Sequence, residues 1–153
     1  MNRIVIDARG AVARALAPRL RRAAKKYLDA LALDGVELSI SLVSDARIQK
    51  LNRQWREKDK ATDVLSFPQV AFEAELARGA QFSGGMLGDI VISTDTARRQ
   101  AREYDRTVQH EVERYLAHGL LHLLGYDHHR REDRLRMAAA EEKLLGAAGM
   151  LGR

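Results

Sequence analysis

Two periods of hydrophobic and polar residues alternate along this chain, and the switches between them mark its elements. Residues 3–7 alternate weakly and predict a short strand. Residues 11–32 set Leu16, Leu20, Ala23, Ala24, Tyr27, Leu28 and Leu31 among basic residues at helical spacing, which predicts an amphipathic helix with a basic outer face. Asp34-Gly35 turns the chain. From Val36 to Val43 the period is two: Val36, Leu38, Ile40 and Leu42 share one face, as a half-buried strand requires. Ser44 is placed to cap a helix from about Asp45 to Trp55, with Ile48, Leu51 and Trp55 as its inner face. A charged loop over 56–62 precedes a short strand, Asp63 to Phe67, stopped by Pro68.

Residues 69–85 predict a variable loop with one helical turn at most. Gly88 to Ser93 predicts another strand, and Thr94 or Asp95 caps a helix to about Tyr104. A helix over about 107–124 is stopped by Gly125, and a last helix covers about 131–146. Strands and helices are mixed without strict alternation. The expectation is therefore one α+β domain spanning 1–153, a small mixed β-sheet packed with helices, with no repeat or linker.

Composition narrows the class. A chain of 153 residues, 46% hydrophobic, can bury a core. It contains no cysteine, so disulfides and thiolate-based metal sites are excluded, which fits a reducing compartment. The apolar run in Met1–Asp7 is far too short for a signal peptide, and no stretch approaches the roughly 20 apolar residues needed to span a bilayer. A cytoplasmic protein with no membrane partner is expected. The net charge of +5 is unevenly spread: +7 over residues 1–60, −4 over 61–96 and +2 over 97–153. The basic N-terminal third, with Arg19, Arg21, Arg22, Lys25 and Lys26, either attracts nucleic-acid phosphates or is a solvated helix face.

The chemistry concentrates further on. All five histidines lie between 110 and 129. His118 and His122 are four apart on a predicted helix, about 40° apart around its axis and about 6 Å along it, so both imidazoles can reach one ion. The helix's apolar stripe, Val112, Leu116, Gly119, Leu120 and Leu123, is centred roughly 120° away from the pair. Gly125 ends the helix and lets the chain reverse, which can return His128 to the same ion. Three neutral imidazoles leave a tetrahedral zinc one open position for water, whose pKa falls toward about 7. Nickel, cobalt, copper or iron are alternative occupants. His110 and His129 are read as ordinary surface or core residues. The zinc-protease pattern His-Glu-x-x-His is not met, because Gly119 stands where its glutamate base would be. Asp127 either orients a ligand or stabilises the bend between Gly125 and His128.

Upstream, residues 52–68 surround one aromatic with polar side chains. Taken from this segment alone, Arg56 is either a phosphate-binding fork at the mouth of a cleft or an ordinary solvated arginine, and Thr62 and Asp63 set up the following strand.

With both segments in view, the chain resembles the YbeY family of bacterial rRNA-maturation endoribonucleases. Residues 118–128 match each fixed position of His-Gly-x-Leu-His-Leu-x-Gly-Tyr-Asp-His, and the Thr-Asp-Val-Leu-Ser-Phe-Pro block stands at 62–68 with Arg56 upstream. Leu87-Gly88-Asp89-Ile90 resembles the family's central strand. Ala61 departs from it, where a proline often precedes the Thr-Asp pair. The resemblance implies an α+β domain with zinc on His118, His122 and His128, and Arg56 important for RNA cleavage or binding. It implies a single-strand-specific endoribonuclease trimming ribosomal RNA, notably the small-subunit 3′ end, and serving ribosome quality control. Partners would be ribosomal RNA and the small ribosomal subunit, with ribosomal proteins or a partner nuclease as further candidates. Two rival readings are a metal-dependent protease or other hydrolase, and a non-catalytic ribosome-assembly factor whose zinc is structural.

Overall fold

The computed structural model describes residues 1–68, 85–126 and 129–147. Of the loop expected over 69–85, residues 69–84 lie outside the described residues, as do Asp127 and His128, and Gly85 belongs instead to a strand. In chain order the elements are β1 (Arg3–Ala8), α1 (Ala11–Ala30), β2 (Val36–Val43), α2 (Asp45–Arg56), β3 (Val64–Pro68), β4 (Gly85–Ser93), α3 (Thr94–Glu103), α4 (Val108–Leu123) and α5 (Arg131–Ala147). The strands form one sheet in the order β1-β2-β4-β3. β1, β2 and β4 run parallel, and β3 is antiparallel to β4. The class is the α+β arrangement with a small mixed sheet that the pattern of elements implies.

The larger core lies on one face of the sheet. Val36, Leu38, Ile40 and Leu42 of β2 are buried together with Leu20, Tyr27 and Leu28 of α1, Leu116 and Leu120 of α4, and Met137 and Leu144 of α5. Burying each of the large aliphatic side chains stabilises the fold by about 1.5–3 kcal/mol relative to exposure. A smaller cluster on the other face joins Ile48 of α2 to Leu65 and Val91. β4 serves both faces with the help of a bulge. Glu37 pairs with Met86 and Leu38 with Gly88, so Leu87 is an extra residue and the parity of the strand flips. Leu87 therefore joins Ile90 and Ile92 in the larger core. Gly88 in that bulge has φ +153°, and a Cβ there would lie 2.7 Å from the Phe67 carbonyl oxygen and 2.8 Å from Leu123 Cδ2. Only glycine fits.

Three expectations are corrected. Trp55 is not an inner residue of α2 but 62% exposed. Ile48 and Asn52 are the buried positions, and Asn52 Nδ2 donates to the Lys60 carbonyl at 2.9 Å. The indole borders an open groove with Leu51, Phe67 and Val91, because among the described residues only α2 lends helix side chains to that face. α3 is capped by Ser93, whose Oγ accepts from the Thr96 N–H at 3.1 Å, rather than by Thr94 or Asp95. Asp95 instead accepts from the Asp45 N–H at 2.9 Å, in the first turn of α2. β4 begins at Gly85, three residues before the expected start, because its first residues extend the pairing with β2. No helix among the described residues is long and apolar enough to cross a membrane.

Candidate active site

α4 is the element on which the site rests, and it is enclosed more fully than an amphipathic stripe implies. Val112, Leu116, Gly119, Leu120 and Leu123 are buried as expected, but so are Gln109, Glu111, Glu113 and Tyr115. The partly accessible positions between Val108 and Leu123 are the helix's first residue and one line at four-residue spacing: His110, Arg114, His118 and His122. Glu111, 1% exposed, is held between Arg106 at 3.3 Å and Arg114 at 3.4 Å, which offsets the cost of burying its charge.

Two local devices aim the histidines. The first is the helix end. Gly125 has φ +93°, its N–H donates to the His122 carbonyl at 3.0 Å, and the Tyr126 N–H donates to the Leu121 carbonyl at 3.1 Å. This pair of bonds is a Schellman motif and closes α4 directly after the second imidazole. The second is close approach at Gly119. A Cβ there would stand 3.0 Å from Ile90 Cγ2 and from Ser66 Oγ, and 3.1 Å from Val64 Cγ2. Glycine lets α4 settle onto β3 and β4, and Ser66 Oγ donates to the Gly119 carbonyl at 2.9 Å. The position next to the first histidine therefore faces the sheet. It has no room for a glutamate.

His118 Nε2 and His122 Nε2 are 3.1 Å apart, with ring centroids at 4.6 Å and ring planes 75° apart. Two nitrogens each about 2.0–2.1 Å from a tetrahedral zinc would be separated by about 3.3 Å. The spacing of this pair is close to that edge, so the two imidazoles fit a shared ion. On its other side, His118 Nδ1 lies 2.5 Å from Glu141 Oε1 of α5. Sequence reasoning did not single out Glu141. The available signal was an acid on the same helical face as Met137 and Leu144.

The pair opens into a cleft of about 680 Å³ whose other walls include Arg56, Asp63, Ser66, Tyr126 and His129. Arg56, the last residue of α2, donates from Nη2 to the Ser66 carbonyl, and its guanidinium carbon lies 5.2 Å from the centre of the Phe67 ring. Ser66 thus holds the arginine through its backbone and α4 through its side chain. Asp63 Oδ1 accepts from the Val64 N–H at 2.8 Å and from Thr62 Oγ1 at 3.3 Å, so these two residues set up β3. His129, expected to be an ordinary residue, lines the cleft. His110 stands eight residues before His118, about 12 Å along the axis, and away from it. No group of three or more His, Asp or Glu side chains among the described residues is placed to share one ion. The expected third ligand, His128, lies outside them.

These features define a class: α+β proteins in which a buried central helix presents paired imidazoles across a cleft from an arginine. Comparison with known proteins narrows it. A family described as Endoribonuclease YbeY matches residues 8–149. An Endoribonuclease YbeY of Myxococcus xanthus is 55% identical over 98% of this chain and 49% of its own length. One of Heliobacterium modesticaldum is 39% identical over 98% of this chain and 97% of its own. The chain thus spans about half the length of the first relative and nearly all of the second. The solution structure of TM1509 from Thermotoga maritima superposes with a TM-score of 0.58 at 27% identity, covering 95% of this chain and 90% of that one. The chain belongs to the YbeY endoribonuclease family.

Proposed function

We propose that this chain is a cytoplasmic, zinc-dependent endoribonuclease that cleaves single-stranded RNA during ribosomal RNA maturation, notably at the small-subunit 3′ end, and contributes to ribosome quality control. Family membership supports the endoribonuclease activity. The observation that carries the chemistry is the 3.1 Å approach of two Nε2 atoms in a cleft shared with a held arginine.

His118 and His122, with His128 as the third ligand, would hold the ion. Zinc bound there supplies a Lewis acid and lowers the pKa of water; nickel or another divalent transition metal would serve the same ligand set. The remaining work falls to the protein's own groups. Arg56 spends one of its five N–H donors on Ser66, which leaves others to grip a non-bridging phosphate oxygen and offset the negative charge developing on the phosphoryl oxygens. Phe67 and the Ser66 carbonyl hold that guanidinium in orientation before substrate arrives. Arg19, Arg22, Lys25 and Lys26, exposed on α1, offer phosphate contacts that position RNA without reading its sequence. The packing around Gly119 favours phosphodiester over peptide hydrolysis, since the glutamate base of the zinc-protease pattern has no room there. Ribosomal RNA within the small subunit is the proposed substrate, with ribosomal proteins or a partner nuclease completing the activity.

The test is chelation and reconstitution of pure protein, assayed on single-stranded and duplex segments of an rRNA precursor. A His118→Ala, His122→Ala double variant controls for contaminating nuclease. Cleavage should be confined to single strands, vanish with chelator and return with zinc. Chelator-resistant cleavage, or equal cleavage by the double variant, would defeat the proposal.

A further inference from the structure

Glu141 lies on α5 between the buried residues Met137 and Leu144, and its carboxylate is turned toward α4. Its Oε1 is 2.5 Å from Nδ1 of His118, while Nε2 of the same ring is 3.1 Å from Nε2 of His122. A neutral imidazole carries one proton. If a carboxylate accepts that proton's hydrogen bond at Nδ1, Nε2 keeps its lone pair and can donate it to an ion. Neutral histidine in water prefers the opposite tautomer, with the proton on Nε2, which would block ligation.

We propose that Glu141 is a positioning residue: it selects the Nδ1–H tautomer of His118 and fixes the ring so that its Nε2 lone pair meets that of His122 at one ion. This rests on the metal reading above. Glu141 and His118 also line a small cavity of about 250 Å³ with Arg114 and Tyr115, and the glutamate side chain keeps 28% of its exposure. The glutamate side chain is therefore part-buried rather than sealed, with its Oε1 turned to the His118 ring. Its partner residue is 23 positions away and on another helix, so docking of α5 is what completes the orientation of the first ligand.

The alternative is a plain ion pair that ties α5 to α4. Glu141→Gln keeps an acceptor oxygen and removes the charge; Glu141→Leu keeps the bulk and removes both; Glu141→Ala guards against misfolding of the leucine variant. Two readouts are taken on the full chain. One is the tautomer of His118 in zinc-free protein, from ¹⁵N chemical shifts and long-range ¹H–¹⁵N couplings at a pH where the ring is neutral. The other is zinc affinity, by competition with a chromophoric chelator.

The wild type and Glu141→Gln should hold the Nδ1–H tautomer with zinc affinities within about threefold of each other. Glu141→Leu and Glu141→Ala should shift His118 toward the Nε2–H form and lose about 10–100-fold in zinc affinity. An unchanged tautomer and affinity in the leucine and alanine variants would overturn the proposal. So would equal losses in the glutamine variant, since charge alone would then account for the contact. A wild type that binds no zinc, yet holds an Nδ1–H tautomer that Glu141→Leu abolishes, would sink the metal reading and leave the positioning role standing.

Discussion

Replacing Gly119 with alanine tests the packing that aims the site. The added methyl would meet Ile90 Cγ2 and Ser66 Oγ at 3.0 Å and Val64 Cγ2 at 3.1 Å, where ordinary contact is 3.4–4 Å. The obstructing atoms come from three residues on two hydrogen-bonded strands, so α4 must yield by a few tenths of an ångström. Overpacking of this kind costs about 1–3 kcal/mol. Lifting the helix also strains the 2.9 Å bond from Ser66 to the Gly119 carbonyl, worth about 1 kcal/mol. Against these, alanine is the better helix former by about 1 kcal/mol. The net expectation is a loss of about 1–3 kcal/mol, read as a lower urea midpoint at unchanged m-value. Ser66→Ala removes one of the three obstructing atoms, so the double variant should lose less than the sum of the singles, by about 0.5 kcal/mol or more. Arg56 is anchored to the same Ser66, so RNA cleavage should fall further than the folded fraction does. A Gly119→Ala variant as stable as the parent, or strict additivity with Ser66→Ala, would refute the close-approach argument.

Three further outcomes are expected. Arg56→Lys keeps the charge but loses the fork and the planar face over Phe67, so RNA cleavage should fall about 10–1,000-fold with little change in melting temperature; full activity would show that Arg56 acts only as a point charge. Burial pushes the Asp45 carboxyl up, but hydrogen bonds from Arg99, Ser93 and Thr96 outweigh it and hold the group below its ordinary 3.8. Its contribution is thus present above that value and lost as pH falls through the folded one, so the stability gap between parent and Asp45→Asn should be widest near neutrality and close in acid; a pH-independent gap in denaturation profiles would contradict the ion pair with Arg99. Gly125→Ala meets no atom of the described residues within 4 Å but must adopt φ +93°, so it should cost about 1–2 kcal/mol in thermal unfolding, with Gly125→Asn costing less; equal stability would mean that the Schellman geometry is not required.

Much of the framework is legible in the sequence because single elements decide it. The alternation of β2 appears residue for residue in its burial, and the inner face of α1 from Leu16 to Leu28 is buried as its spacing implies. The His118–His122 pair and the stop at Gly125 depend only on helix geometry and a positive φ. What resists reading is tertiary. Ser93, Thr94 and Asp95 are all capping types in a row, and only the direct passage of β4 into α3 selects the first. Trp55 has the spacing of a core residue, but no described helix lies above it. The Leu87 bulge flips a strand's parity, and its one sequence signal is Gly88, a glycine inside a strand that does not by itself say which residue is the extra one.

The same distinction explains why Glu141 escapes notice while His118 does not. Two histidines on one helix share a local coordinate frame, and their separation follows from four residues of rise and turn. The carboxylate reaches that frame from another helix, through a crossing set by Met137 and Leu144 packing into the core. That dependence has a mechanical consequence. α4 is enclosed except along its line of spaced residues, so the backbone that carries His118 and His122 cannot shift far without opening the core. Glu141 then removes the remaining freedom of one ring, and Ser66 that of the facing arginine. A site assembled this way places its groups before substrate arrives, and little reorganisation is left for the moment of reaction.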